Sequence, residues 1–236
     1  MDILAVPGIN NTAATFDGFC RNMPEAHPVT AVDCPALDTV EAIAEAILTD
    51  APERFVVLGH SFGGYVALAI LAAAPERVQG VVLVNSNDWA DSETVAAGRI
   101  DKARRADAGE YAELAAAASA RAYHPDNAGR ADLMEERAAG LTGYGGERYA
   151  AHMRASASRP DRGDLLKDAD CPVLVVSGDH DVVIPTAKQT EMAERLGAHQ
   201  AVIPGAGHML PAETPAALAE ALTTWLHAQF PNDEGQ

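Results

Sequence analysis

Short runs of consecutive apolar residues recur along the chain, and most are followed by an alanine-rich segment with helical spacing. The clearest runs are Phe55–Leu58, Val81–Val84 and Val173–Val176. A run without polar alternation is typical of a strand that is buried on both faces of a sheet. Because strands of this kind alternate with helical segments, the sequence predicts βαβ units and an α/β fold, with a mostly parallel central sheet flanked by helices.

Three weaker runs bring the expected sheet to about six strands. They are Ile3–Val6, Val29–Val32 and Gln200–Ile203. Helices are predicted around Thr12–Asn22, over Asp38–Leu48 and Phe62–Ala74, near Thr186–Leu196 and from about Thr214 to Phe230. In the second of these the apolar residues recur at the spacing of one helix face, as expected for a helix that covers a sheet.

The α/β rhythm stops between residues 88 and 162. This stretch contains no strand-like run, only helical segments punctuated at His124-Pro125, Gly140, Gly143–Gly146 and Arg159-Pro160. Connections inside α/β units usually have about 2–6 residues, so an insertion of this length is typical of a functional element. We expect one α/β domain formed by residues 1–87 and 163–236, with a helical insertion at 88–162.

The charge distribution limits the partners. The chain has 17 basic and 34 acidic residues, a formal net charge of −17 and an isoelectric point near 4.7. Residues 88–162 are nearly neutral at −2 and hold 11 of the basic residues, whereas the remainder carries −15. Such a surface repels phosphate backbones and anionic lipids. We therefore expect a small-molecule substrate, no nucleic-acid or membrane partner, and a monomer or homodimer.

The cysteines and the N-terminus indicate a cytoplasmic protein. Cys20, Cys34 and Cys171 are few and odd in number and lack a CxxC spacing, so we expect reduced thiols and no zinc site. The N-terminus has no basic region before its first turn, unlike a signal peptide. The longest apolar run, Tyr65–Ala74, is about half of the ~20 residues that a membrane span needs.

A glycine-rich turn lies where a buried strand passes into a helix. Its sequence is Gly59-His60-Ser61-Phe62-Gly63-Gly64, a G-x-S-x-G pattern in a strand–turn–helix context. This context predicts a strained turn that exposes the Ser61 hydroxyl at the carboxyl end of the strand. Larger side chains at Gly59 and Gly63 would collide with the turn, and Gly64 allows the helix to pack closely. Ser61 is therefore the candidate nucleophile.

A serine nucleophile needs a base and a group that orients the base. Asp181 follows the strand Val173–Val176 and precedes Val182-Val183-Ile184-Pro185, which favours it over its competitor Asp179. His208 lies in a glycine-containing loop, Gly205-Ala206-Gly207-His208, after the last strand. We expect His60 and His180 to pack or to order loops. The other histidines lack such a loop: His27, His124, His152, His199 and His227.

The order Ser61, Asp181, His208, together with these motifs, resembles the α/β-hydrolase superfamily over essentially the full length. The chain looks most like small bacterial serine esterases and lactonases related to the biotin-pathway carboxylesterase and the enol-lactone hydrolases. The resemblance implies the α/β-hydrolase fold, a Ser-His-Asp triad and a helical cap at residues 88–162. Because the sequence begins directly at the strand Ile3–Val6, we expect the usual two N-terminal strands of the family to be absent.

The resemblance also implies an oxyanion hole. Its backbone donors are expected at Phe62, after the nucleophile, and at Ile9, in the loop after the first strand, with Asn10 as the alternative to Ile9. The family commonly has His-Gly in that loop, whereas this chain has Pro7-Gly8. Relatives that transfer alkyl groups use aspartate at the nucleophile position, so Ser61 indicates attack on an acyl carbon.

Substrate contacts are expected at Phe62, Trp89, Val182 and Met209. Tyr123, Met134, Tyr144 and Met153 are further candidates, each with internal packing of the cap as the alternative. Cap arginines such as Arg121, Arg148 and Arg154 are candidates to bind a carboxylate, with a place on a solvated helix face as the alternative for most of them.

The predicted function is hydrolysis of a small carboxylic ester or lactone through an acyl-enzyme intermediate, with no metal or organic cofactor. The alternatives are a C–C bond hydrolase, a thioesterase or a perhydrolase with the same triad. A non-catalytic ligand receptor on the same scaffold is a further alternative.

Overall fold

The computed structural model describes residues 1–119 and 121–231, and within these residues six strands form one sheet. Its order is β2-β1-β3-β4-β5-β6, and every neighbouring pair is parallel. The strands are β1 (Ile3–Val6), β2 (Val29–Ala31), β3 (Phe55–His60), β4 (Val78–Val84), β5 (Val173–Gly178) and β6 (His199–Ile203). The predicted α/β fold with about six parallel strands is confirmed.

Helices cover both faces of this sheet. They are α1 (Asp17–Asn22), which follows a 3₁₀ turn at Ala13–Phe16, α2 (Val40–Leu48), α3 (Phe62–Ala73), α8 (Thr186–Leu196), the short α9 (Leu210–Glu213) and α10 (Pro215–Gln229). Side chains of α2, α3 and α8 pack on one face, and those of α1 and α10 pack on the other. Strands β1, β3 and β5 are buried at every residue, because both faces are covered.

Between β4 and β5 the described residues form four helices: α4 (Glu93–Asp107), α5 (Tyr111–Ser119), α6 (Ala131–Ser158) and α7 (Gly163–Lys167). The first three enclose a small hydrophobic core of their own, which includes Ala103, Leu114 and Tyr149. The expected interruption at Gly140 is wrong, because α6 continues through it and departs from helical angles only at Gly145. One glycine costs a helix about 1 kcal/mol, which packing offsets. The domain boundaries at 88 and 162 stay a prediction.

The parallel arrangement places the carboxyl ends of all six strands at one edge of the sheet. The chain leaves β1 toward β2 on one side and returns to β3 on the other, so the strand order reverses between β1 and β3. Ligand sites of open α/β sheets lie in the crevice at such a reversal. No helix in the described part of the chain is long and apolar enough to cross a bilayer.

Candidate active site

Ser61 occupies a strained turn between β3 and α3. Its backbone angles are φ 52° and ψ −116°, in the positive-φ region that residues other than glycine rarely adopt. A Cβ at Gly59 would collide with the Gly63 carbonyl, and one at Gly63 would collide with the Val6 carbonyl. A Cβ at Gly64 would strike the side chain of Ser86, whose hydroxyl donates to the Ser61 carbonyl at 2.7 Å. The glycines are therefore sterically required for this turn.

The structure brings Ser61, His208 and Asp181 together from three separate loops. His208 Nε2 lies 2.9 Å from Ser61 Oγ, and His208 Nδ1 lies 2.9 Å from Asp181 Oδ2. A carboxylate only accepts hydrogen bonds, so Nδ1 carries a proton and Nε2 of the neutral ring accepts from the Ser61 hydroxyl. Both side chains of this hydrogen-bonded pair are nearly buried, 9% exposed for His208 and 0% for Asp181.

Asp181 is held by three donors besides His208. The backbone amides of Val183 and Ile184 donate to Oδ1 at 2.9 Å each, and Gln189 Nε2 donates to Oδ2 at 3.1 Å. These bonds fix the carboxylate against rotation and leave it facing the imidazole. Asp179, the competing carboxylate, lies on the exposed surface of the same loop. The geometry therefore favours Asp181.

Asn85 and His60 hold the backbone of the His208 loop. Asn85 Nδ2 donates to the carbonyls of Gly207 and His208 at 2.9 and 2.8 Å, and its Oδ1 accepts from the Gly178 amide at 2.9 Å. His60 Nε2 donates to the His208 carbonyl at 2.8 Å. Burial, together with the neighbouring His208, lowers the pKa of His60 to about 3. His60 thus packs and orders a loop, as its sequence position indicated.

Asn85 was missed in the sequence, although its signal was present. It begins Asn85-Ser86-Asn87, a polar cluster that directly follows a buried apolar strand and therefore lies at the active edge of the sheet. Glu213 was missed as well. Its buried carboxylate accepts from the amides of Gly207 and His124, both within 2.9 Å, and joins the His208 loop to the segment before α6. Nothing near Glu213 in the sequence indicates that role.

The loop after β1 contains Ile9 and Asn10, the candidates for the second backbone donor. Asn10 has φ 64°, and its Oδ1 accepts from the Tyr111 hydroxyl at 3.1 Å. Ile9 and Asn10 both line the cavity beside Ser61, so the amide of either residue stays a candidate donor from this loop. Phe62 begins α3, so its amide has no partner within the helix.

Tyr144 is one member of a buried series of directional hydrogen bonds. The Pro35 carbonyl, 2.8 Å from His152 Nε2, can only accept, so this nitrogen carries the proton. His152 Nδ1 then accepts from the Tyr144 hydroxyl at 2.5 Å. Burial lowers the pKa of His152 to about 4, and its ring stacks on Phe62 at 4.6 Å. His152 of α6 thereby packs against Phe62, the residue that follows the nucleophile.

A cavity of about 620 Å³ opens above Ser61 and His208. Of the expected substrate contacts, Phe62, Trp89 and Met209 line this cavity. Val182 does not: it lies outside, 45% exposed, and its neighbours Val183 and Ile184 line the wall instead. Asp181 binds the amides of these two neighbours, which turns Val182 away.

The further aromatic and sulfur-containing candidates divide between lining and packing. Met153 lines the cavity. Tyr123 and Met134 pack together near Met209, and Tyr144 packs within the core of α4, α5 and α6. All four residues therefore pack against apolar neighbours, Tyr123 and Met134 partly against Met209 outside the insertion, and Met153 also lines the cavity.

The three arginines singled out in the sequence lie away from the cavity. Arg121 is exposed, Arg148 faces Asp33 at 3.7 Å, and Arg154 pairs with Asp38 and Asp107. A different set of cations lines the wall: Arg99, Lys102, Arg137 and Arg159. The choice between these two sets depends on which face of each helix turns inward.

Comparison with known proteins agrees with this architecture. The model of the alpha/beta hydrolase family matches residues 5–221. The pimeloyl-[acyl-carrier protein] methyl ester esterase of Nitrosomonas europaea is 33% identical over 93 residues, 36% of this chain and 37% of that protein. The enzyme of the same name from Neisseria meningitidis serogroup A is 29% identical over 209 residues, 82% of this chain and 66% of that protein. Each match spans less than two thirds of the relative.

Solved structures are similar over nearly the whole chain. A thermophilic esterase from Thermogutta terrifontis has a TM-score of 0.86 at 25% identity, over 97% of this chain and 90% of the other. The enol-lactonase from Burkholderia xenovorans LB400 has a TM-score of 0.82 at 21% identity, over 95% and 90%. At the latter identity the likeness establishes the fold alone.

Proposed function

The chain belongs to the α/β-hydrolase family, and from this premise we propose that it cleaves a small carboxylic ester or lactone through an acyl-enzyme intermediate. Ser61 is the proposed nucleophile, His208 the base and acid, and Asp181 the residue that orients His208. The hydrogen-bonded series from Ser61 Oγ through His208 to Asp181, 2.9 Å at each step, carries this proposal. A nucleophile, a base and an orienting group within hydrogen-bond reach are the signature of covalent acyl transfer.

In the proposed first half-reaction, Ser61 Oγ attacks the carbonyl carbon while its proton moves to His208 Nε2. The carbonyl π electrons move to oxygen, and the resulting tetrahedral anion accepts from the amides of Phe62 and Ile9. When the anion collapses, the C–O bond to the leaving group breaks and His208 transfers the proton to the departing oxygen. In a lactone the leaving oxygen stays attached to the acyl chain.

The second half-reaction repeats the first with water in place of Ser61. His208 Nε2 takes a proton from water while the water oxygen forms a bond to the acyl carbon. The bond between that carbon and Ser61 Oγ then breaks, and His208 returns the proton to Ser61 Oγ as the acid departs. Asp181 stays ionised throughout and stabilises the imidazolium that forms twice in the cycle. Each oxyanion donor is typically worth about 3 kcal/mol of transition-state stabilisation.

Two further observations support a small ester or lactone. The curated relatives from Nitrosomonas and Neisseria are named methyl ester esterases. The cavity volume, about 620 Å³, falls within the 300–1,000 Å³ that is usual for small-molecule sites. We further propose that α4, α5 and α6 act as a cap, because residues of all three helices line the cavity that contains Ser61.

Labelling with a fluorophosphonate probe tests this function, combined with burst kinetics on p-nitrophenyl acetate. We expect stoichiometric labelling, mapped by peptide mass spectrometry to Ser61, and a burst of one nitrophenolate per chain. Ser61→Ala should abolish both signals. The matched control is Ser158→Ala, since Ser158 is exposed and bonds only to carbonyls of its own helix. Absence of labelling and of a burst in the folded wild type would contradict the proposal.

A further inference from the structure

The charge of the cavity wall is opposite to that of the protein. Four cations line the wall, Arg99, Lys102, Arg137 and Arg159, and among the described lining residues Asp91 is the sole carboxylate. The chain as a whole carries −17. A cationic concavity in an acidic protein concentrates small anions locally, against the repulsion of the global field. The wall therefore requires an explanation other than average surface charge.

Arg99 is anchored at one edge of its guanidinium. Its Nε donates to Asp91 Oδ2 at 2.5 Å, and the other oxygen of Asp91 accepts from Arg159 Nη2 at 2.8 Å. Arg159 is itself buried, donates to the Ser156 carbonyl at 2.6 Å and stacks 3.8 Å over the ring of Tyr65. The Asp91 side chain is only 6% exposed, so Arg99 rests on a rigid support.

The opposite edge of Arg99 is left for a ligand. Across residues 1–119 and 121–231, neither Nη1 nor Nη2 of Arg99 has a hydrogen-bond acceptor. Two N–H groups on a planar guanidinium match the two oxygens of a carboxylate and bind it in bidentate fashion. An arginine held through Nε, with this fork exposed to a cavity, is pre-organised for such an anion.

Lys102 adds a second positive charge beside that fork. It follows Arg99 by three residues in α4, and residues at this spacing are neighbours on one helix face. Both line the cavity. Within the described chain the Lys102 ammonium forms no ion pair or hydrogen bond. Arg104, two residues further along the same helix, is exposed and does not line the cavity.

We propose that Arg99 and Lys102 form an anion subsite, and that the substrates are esters or lactones carrying a second, free carboxylate. This inference rests on the proposed function and names its substrate class. The reacting carbonyl occupies the end of the cavity at Ser61, and the carboxylate binds the Arg99 fork with Lys102 beside it. Hemiesters of dicarboxylic acids have this chemistry, as do lactones that bear an acid substituent.

Paired substrates measure the contribution of the subsite. The p-nitrophenyl hemiesters of succinate, glutarate and adipate are compared with neutral p-nitrophenyl esters of matched chain length. We expect wild-type kcat/KM to be about tenfold or more higher for the best hemiester than for its neutral partner. Lys102→Met and Arg99→Met should each reduce the ratio of kcat/KM for the hemiester to kcat/KM for the neutral ester about tenfold, mainly through KM. Arg99→Lys keeps the charge but loses the fork and should lie between wild type and Arg99→Met.

Arg104→Met is the matched control, because it removes one positive charge from the same helix outside the cavity. The hemiester-to-neutral-ester ratio of kcat/KM in this variant should equal that of wild type. Lys102→Met leaves the Asp91 ion pairs intact, so its result is independent of any unfolding caused by the Arg99 variants. A ratio that is equal in wild type, Lys102→Met and Arg104→Met overturns the subsite, while turnover of the neutral ester keeps the proposed function.

Calorimetric titration with glutarate tests the subsite without turnover. We expect wild type and Arg104→Met to bind glutarate with equal affinity, and Lys102→Met to bind about tenfold more weakly. Equal binding by all three proteins overturns the subsite. If no ester is hydrolysed and no probe is incorporated, only the proposed function is contradicted. The glutarate titration still decides whether the anion site exists.

Discussion

The side-chain amide of Asn85 donates a hydrogen bond to the backbone carbonyl of His208, 2.8 Å away, across 123 residues of sequence. Asn85 follows β4 with φ 47°, a conformation that asparagine tolerates better than most residues. His60 donates to the same carbonyl from the end of β3. The histidine loop is therefore fixed by polar residues from the ends of two neighbouring strands.

Replacement of Asn85 by Ala should lower stability and activity together. It leaves two buried carbonyls and the Gly178 amide with fewer partners, and each unsatisfied buried group costs about 1–3 kcal/mol. We expect the free energy of unfolding to fall by about 2–4 kcal/mol in urea titrations. Asn22→Ala is the control, because exposed Asn22 bonds only within its own helix, and its effect should stay within about 0.5 kcal/mol. Equal effects of the two variants would contradict the role of Asn85.

The two candidate carboxylates after β5 form a natural matched pair. Asp181→Asn should reduce kcat by about 10⁴-fold, because an amide in place of the carboxylate favours the wrong tautomer of His208. Asp179→Asn removes the same charge from an exposed position two residues away and should change kcat less than about twofold. Steady-state hydrolysis of p-nitrophenyl acetate compares them. Comparable losses in both variants would argue against Asp181 as the orienting residue.

Removal of the Tyr144 hydroxyl should affect chemistry more than substrate binding. In Tyr144→Phe, His152 Nδ1 loses its hydrogen-bond donor, so the imidazole that stacks on Phe62, an expected oxyanion donor, is less firmly held. We expect kcat to fall about tenfold, within the cost of one weakened oxyanion donor, while KM changes less than twofold. A boronic acid that mimics the tetrahedral anion should lose affinity by the same factor as kcat/KM. A change confined to KM would contradict this interpretation.

Acid should destabilise the fold through two buried histidines. Burial lowers the pKa of His60 to about 3 and that of His152 to about 4, against an ordinary value of 6.5. The His60 Nδ1 is buried without an acceptor in the described structure, so a proton there is unsatisfied. Between pH 6.5 and about 4 the unfolded chain binds two protons that the folded chain does not. The contribution of the two neutral histidines to the unfolding free energy is therefore fully present above pH 6.5 and is lost as the pH falls.

In that window, each of these histidines should contribute about 1.4 kcal/mol per pH unit to the slope of the unfolding free energy against pH. Urea titrations between pH 4.5 and 5.5 should therefore give a slope for His60→Gln or His152→Gln that is smaller by about this amount. His199→Gln controls for removal of an exposed histidine. An unchanged slope in both buried-site variants would show that acid acts through other groups.

The sequence by itself determined the elbow at Ser61 and the family of the fold. Both depend on local physics: a run that is apolar at every position needs a strand with two covered faces, and the turn has space only for glycine at Gly59 and Gly63. The sequence also predicted, from similar physics, that Ser61, Asp181 and His208 lie close together. Each lies just after a strand, and the carboxyl ends of parallel strands meet at one edge.

Tertiary structure alone decided which side chains line the cavity. Alanine-rich helices such as α4 and α6 have little contrast between their faces, so their sequence does not indicate which face packs and which lines a cavity. That choice followed from the core that these helices share with α5, which placed Arg99 and Lys102 at the wall of the cavity and Arg154 away from it. Val183 replaced Val182 for a similar reason, since hydrogen bonds to Asp181, and not hydrophobicity, orient that loop.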